Sequence, residues 1–151
     1  MLSLIHDLGE VDEGDVPAPE TGDPRNREGR ESTAVHRVTQ VLPDSLREGI
    51  RELWDEYHRG ETREAAFVRA VDKLETVIQH NQGQNGPEFD YEFNLTYGTA
   101  WTDRFDRTRE LADMLRETTG RRLEEQSEDR AGRDTKGRSH ENTQRRTNKG
   151  E

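Results

Sequence analysis

A stripe of apolar residues at helical spacing constrains this chain most. Phe67, Ala70, Val71, Leu74, Val77 and Ile78 recur at intervals that line one face of a helix. Leu46, Ile50, Leu53, Trp54 and Tyr57 draw a second stripe upstream. Val35, Val38, Val41 and Leu42 draw a third, and Phe105, Leu111, Met114 and Leu115 a fourth. Helices packed along such stripes make an all-α bundle. Little else is available for a core: apolar residues are 27% of the 151. Counting glycine raises that to about 36%, against roughly 45–50% in an ordinary domain. The length allows one domain rather than two.

Local signals place the helix ends. Segment 1–10 opens at once on Leu2, Leu4, Ile5 and Leu8, a helical stripe with no cap before it. Pro17, Pro19 and Pro24 mark 12–27 as a loop. A helix is predicted from Glu28 to Leu42. After Pro43, Ser45 and Glu48 fit a capping box for the next one. Gly60 ends that helix, and Thr62 with Glu64 starts another. Segment 81–100 is polar and glycine-rich, with Phe89, Tyr91, Phe93, Leu95 and Tyr97 in alternation. The expectation is a loop anchored by aromatic rings rather than a strand. A last helix is predicted from Asp103 to Thr119, with Gly120 at its end. Residues 121–151 hold only Leu123 and Ala131 as apolar side chains, too few to offset ordering entropy. The expected organisation is a helical domain over 1–119 and a disordered charged tail over 120–151.

Charge and composition exclude several functions. The net charge is −10, and residues 120–151 carry nine Arg and Lys against seven Asp and Glu. About −12 therefore falls on residues 1–119. A body that acidic repels a phosphate backbone, so nucleic acid is a poor partner for it. Cysteine is absent, which excludes disulfides, thiolate metal sites and thiol catalysis. No apolar run approaches the roughly 20 residues of a membrane span. No secretory leader is seen, so the expected address is the cytoplasm, with no membrane partner. High acid content, only three lysines and no cysteine are the composition of a halophilic protein, whose acidic surface holds water and ions at molar salt.

Four protonatable groups gather near the start of the chain. On an α-helix, His6, Asp7 and Glu10 share one side, and Asp15 follows the turn at Gly14. Imidazole with carboxylates is a ligand set suited to a divalent Mn, Fe, Co, Ni or Zn ion. Asp72 is the other unusual acid. It lies at the edge of the apolar stripe beside Val71, where a carboxylate is costly without a cation or hydrogen bonds.

The segments HDLGEVDEGD (6–15), VLPDSL (41–46), LWDEY (53–57), TREAAFVRAVDKLE (62–75) and FNLTYG (93–98) occur in an order that resembles the HD-domain phosphohydrolases. The likeness covers roughly residues 2–118 and is greatest to the branch containing the 5′-deoxynucleotidases. It implies an HD-type helical bundle that binds a divalent metal and hydrolyses deoxynucleoside 5′-monophosphates as small-molecule substrates. His6, Asp7 and Asp72 would be the metal ligands. Glu10 would orient or deprotonate the attacking water, or protonate the leaving oxygen, and Asp15 would support the site and the substrate. A homodimer is the implied assembly. The branch has a further metal-binding His on a helix before the HD pair, whereas this chain opens inside the helix that bears His6. The expectation is therefore an HD domain truncated at its N-terminus. His36, His58 and His80, expected on exposed faces or ends of helices, are weak substitutes. The alternative is an inactive HD fragment kept as a helical interaction or dimerisation module.

Overall fold

The computed structural model describes residues 1–12, 14 and 24–147, with side chains described for 1–12, 14 and 27–131. Every regular element among them is helical. The helices are α1 (Leu2–Ile5), α2 (Pro24–Thr39), α3 (Asp44–Arg59), α4 (Arg63–Gln82), α5 (Tyr91–Asn94), α6 (Thr99–Thr102) and α7 (Asp106–Thr147), and a 3-10 turn over His6–Val11 follows α1. They form two compact units, Met1–Arg69 and Ala70–Glu151. Helix α4 begins in the first and ends in the second.

In the first unit α1 packs on α3, and the 3-10 turn and α3 both pack on α2. Leu2, Tyr57 and Ala65 form one buried cluster, with Leu53 and Val68 against it. Ile5, Val35 and Trp54 form a second, with Leu8 and Leu53 against it. Leu2, Ile5 and Leu8 thus face inward at steps of three, while Leu4 is 81% exposed.

Local chemistry explains where the helices differ from expectation. Helix α2 starts at Pro24, because proline fits the first turn, where its missing N–H has no partner. It stops at Thr39, since Leu42 precedes Pro43 and that position disfavours helical geometry. Val41 is consequently exposed. The capping box at Ser45 does not form: Pro43 is the N-cap, and Ser45 lies within the first turn of α3. Gly60 does end α3, at φ 62°, with its N–H donating to the Glu56 carbonyl at 3.1 Å. Thr62 caps α4, its Oγ1 accepting from the Ala65 N–H at 3.1 Å.

In the second unit α5 and α6 pack on α7. The inner stripe of α7 is Thr108, Ala112, Leu115 and Thr119, with Leu115 partly buried and the others buried. Leu111 and Met114, expected inward, are 51% and 65% exposed. Threonine takes their place because its hydroxyl finds partners inside. Thr108 donates to the Thr102 carbonyl at 2.6 Å, and Asn81 Nδ2 donates to Thr119 Oγ1 at 3.0 Å. The loop expected over 81–100 starts after α4 ends at Gln82 and is interrupted by the short helices α5 and α6, with aromatic rings packed within it. Phe89 packs edge-on against His80 and Tyr91, and Tyr91 is buried.

Helix α7 does not end at Gly120 but runs to Thr147. Beyond Gly120, Arg122 donates to the Gly83 carbonyl at 2.7 Å and Gln126 to that of Phe89 at 2.8 Å. Arg130 reaches the Pro87 carbonyl. These polar side chains fasten the charged segment onto 83–90, so any free tail starts later than the composition implied.

Candidate functional site

The first unit carries His6, Asp7 and Glu10 on the 3-10 turn. Ile5 (φ −121°, ψ −8°) leaves helical geometry just before it. At three residues per turn, Asp7 and Glu10 align, but His6 and Glu10 do not. The expectation that all three share one face is corrected to that extent. His6 Nδ1 lies 3.1 Å from the Ser3 carbonyl, and Nε2 lies 3.1 Å from Asp7 Oδ1. The ring also packs edge-on against Tyr57, with centroids 5.3 Å apart. Since a carbonyl only accepts, Nδ1 carries the proton. Nε2, the other ring nitrogen, faces the Asp7 carboxylate.

Glu10 accepts from Arg27 Nη2 at 2.7 Å. Arg27 Nε donates to Glu31, which is buried, and Glu31 Oε2 lies 3.5 Å from His58 Nε2. The turn lies directly on α2 because residue 9 is glycine: a Cβ there would sit 2.7 Å from Glu31 Cβ. His58 is half-buried rather than exposed, its ring 3.8 Å from that of Trp54. Burial holds His58 below the ordinary histidine pKa, against the pull of Glu31 and with a further push from Arg69.

The second unit carries Asp72 on α4. Its Oδ2 lies 2.9 Å from Lys73 Nζ, and Lys73 also sits over the Tyr97 ring at 5.3 Å. Burial works against the Lys73 charge, but Asp72 and Tyr97 outweigh it and raise its pKa. The carboxylate at the edge of the apolar stripe is therefore compensated, by the neighbouring lysine. Asp15 lies outside the described residues. The Arg27–Glu31–His58 group was missed from sequence: Arg27 fell in the expected loop over 12–27, and the i,i+4 spacing with Glu31 acquires meaning only because α2 starts at Pro24.

Residues 1–112 match the HD domain family. The chain belongs to the HD-domain family. Its likeness within the family is to proteins named 5′-deoxynucleotidase. It is 35% identical over 81 residues to 5′-deoxynucleotidase HDDC2 of Mus musculus, which is 54% of this chain and 41% of that protein. The Bos taurus protein of the same name is 38% identical over 82 residues, 54% of this chain and 40% of the relative. 5′-Deoxynucleotidase hdd1 of Schizosaccharomyces pombe is 34% identical over 82 residues, 52% and 41% of the two chains. This HD-domain chain thus spans about two fifths of the length of the curated relatives it matches. No described helix is long and apolar enough to cross a membrane.

Proposed function

We propose that this HD-domain protein is a metal-dependent phosphohydrolase acting on deoxynucleoside 5′-monophosphates. The pairing of His6 and Asp7 carries the reading: the ring Nε2 and the carboxylate Oδ1 lie 3.1 Å apart, with the other ring nitrogen against the Ser3 carbonyl. A backbone acceptor behind a histidine ring is the usual support of a metal-bound imidazole. His6, Asp7 and Asp72 would each offer one ligand atom. One imidazole and two carboxylates fit a borderline-to-hard divalent ion such as Mn, Co, Fe, Ni or Zn. Such an ion, when bound, supplies a Lewis acid for a phosphoryl oxygen and a water of lowered pKa. Glu10, one 3-10 turn past Asp7, would orient that water, and Asp15 would support the substrate. The similarity to relatives named 5′-deoxynucleotidase supports the substrate class.

The test is release of phosphate from a panel of deoxynucleoside and ribonucleoside monophosphates with Mn, Co or Mg at high salt. Activity that needs the metal, prefers deoxynucleotides and disappears in Asp72→Ala supports the reading. Metal binding without hydrolysis would overturn the activity while leaving the centre intact.

A second reading, an HD module that acts through association, is favoured by one observation. Phe67, Val71 and Ile78 on α4 and Leu111 and Met114 on α7 are all more than a third exposed. Sedimentation showing a dimer, with no phosphate released under any of these conditions, would favour that reading.

A further inference from the structure

We propose that Arg27 is the positioning residue for Glu10, held in place by Glu31 and His58; the inference rests on the hydrolase reading above. Arg27 serves two carboxylates at once. Its Nε donates to Glu31 Oε1 and its Nη2 to Glu10 Oε1, the latter at 2.7 Å. A guanidinium is planar, so binding Glu31 through Nε fixes the direction in which Nη2 points. Glu31 is itself confined. It is 9% exposed, the Gly9 backbone lies against its Cβ, and His58 Nε2 lies 3.5 Å from its second oxygen. The charge of Arg27 is favoured too: partial burial opposes it, but Glu31 and Glu10 together outweigh that and raise its pKa.

The line of groups therefore runs from α3 through α2 to the turn that bears the HD pair. His58 is stacked on Trp54, and Arg69 donates to the backbone carbonyls of Tyr57 and His58. The far end of the line is thus packed in the core of the first unit. At the near end, Glu10 is 21% exposed, within reach of a substrate water. A carboxylate that accepts from a guanidinium is being used as an acceptor, which suits orienting a water better than donating a proton to a leaving oxygen. Of the two roles open to Glu10, the network selects the first.

The experiment combines a double-mutant cycle with a measurement that needs no turnover. Arg27→Met, Arg27→Lys, Glu10→Gln and the Glu10→Gln/Arg27→Met pair are compared in kcat, KM and calorimetric Mn affinity. Arg27→Met is expected to lower kcat by about 10- to 100-fold, within the range of an acid–base contribution. KM and Mn affinity should stay within about twofold, because Arg27 is not among the proposed ligands. Arg27→Lys should recover only part of kcat, since a point charge cannot hold both carboxylates in fixed geometry. In the Glu10→Gln background Arg27→Met should cost nothing further. Additive losses, or a Mn affinity that falls with kcat, would overturn the proposal.

The Arg27 Nε–H resonance in the nitrogen-15 spectrum of the full chain gives the second arm. It is expected to be resolved in the wild type and to move in both Glu31→Gln and Glu10→Gln. Should it ignore Glu10→Gln, the proposal fails whatever the activity shows. A wild type that releases no phosphate would instead overturn the hydrolase reading, and with it the catalytic purpose of the contact.

Discussion

Side-chain identity matters most at residue 9. Gly9 sits between the HD pair and Glu10, and its lack of a Cβ lets the 3-10 turn lie on Glu31. Gly9→Ala places a carbon 2.7 Å from Glu31 Cβ, so backbone or Glu31 must shift. The expected loss is about 1–3 kcal/mol, the usual range for overpacking. Gly29 is the control, because an added Cβ on this α2 residue meets nothing within 4 Å. Gly29→Ala should stabilise by about 0.8–1 kcal/mol through helix propensity alone. Urea unfolding of both variants measures the pair. Equal effects at the two sites would mean that the turn does not rest on α2 as described.

At the scale of elements, α3 brings a histidine into a partly buried, charged setting. The His58 pKa is depressed in the folded state by burial, with Glu31 and Glu28 opposing and Arg69 and Arg27 adding to the push. A depressed folded pKa means that the unfolded chain binds the proton more readily. The resulting stability is full above the unfolded value of 6.5 and is lost as pH falls through the folded pKa. Thermal melts from pH 7.5 downward should show a falling Tm below about 6.5, and His58→Phe should flatten that slope. A wild type and a variant with parallel profiles would contradict the assignment.

The elements themselves were largely legible. Gly60 and Thr62 marked the α3–α4 junction because their roles depend on local backbone geometry. The inner face of α7 was legible only in part: Leu115 lies on it and Phe105 is partly buried, but Leu111 and Met114 are exposed, and the rest of the packed face is Thr108, Ala112 and Thr119. Hydrogen bonds from buried threonines leave no hydrophobic pattern. Likewise, Arg122, Gln126 and Arg130 hold segment 83–90 through carbonyl contacts that composition cannot reveal. At the site, the HD pair and Asp72 were marked by residue type and position. Arg27, which donates to Glu10, lies on α2 and emerges as its partner only from the packing.

For the whole molecule, charge and metal are the two global variables. A net charge of −10, with about −12 on residues 1–119, works against a compact state through self-repulsion, and salt screens it. The expected outcome is a Tm that rises from low salt to molar KCl, measured by calorimetry, and a Tm that is highest at low salt would contradict the halophilic reading. The central claim is that His6, Asp7 and Asp72 hold one divalent ion. Calorimetric titration of the full chain with Mn tests it most directly. The account predicts one ion per chain, with binding weakened at least tenfold in Asp7→Asn and in Asp72→Ala while both variants keep the wild-type helical spectrum. No binding by the folded wild type, or binding untouched by either substitution, would contradict it.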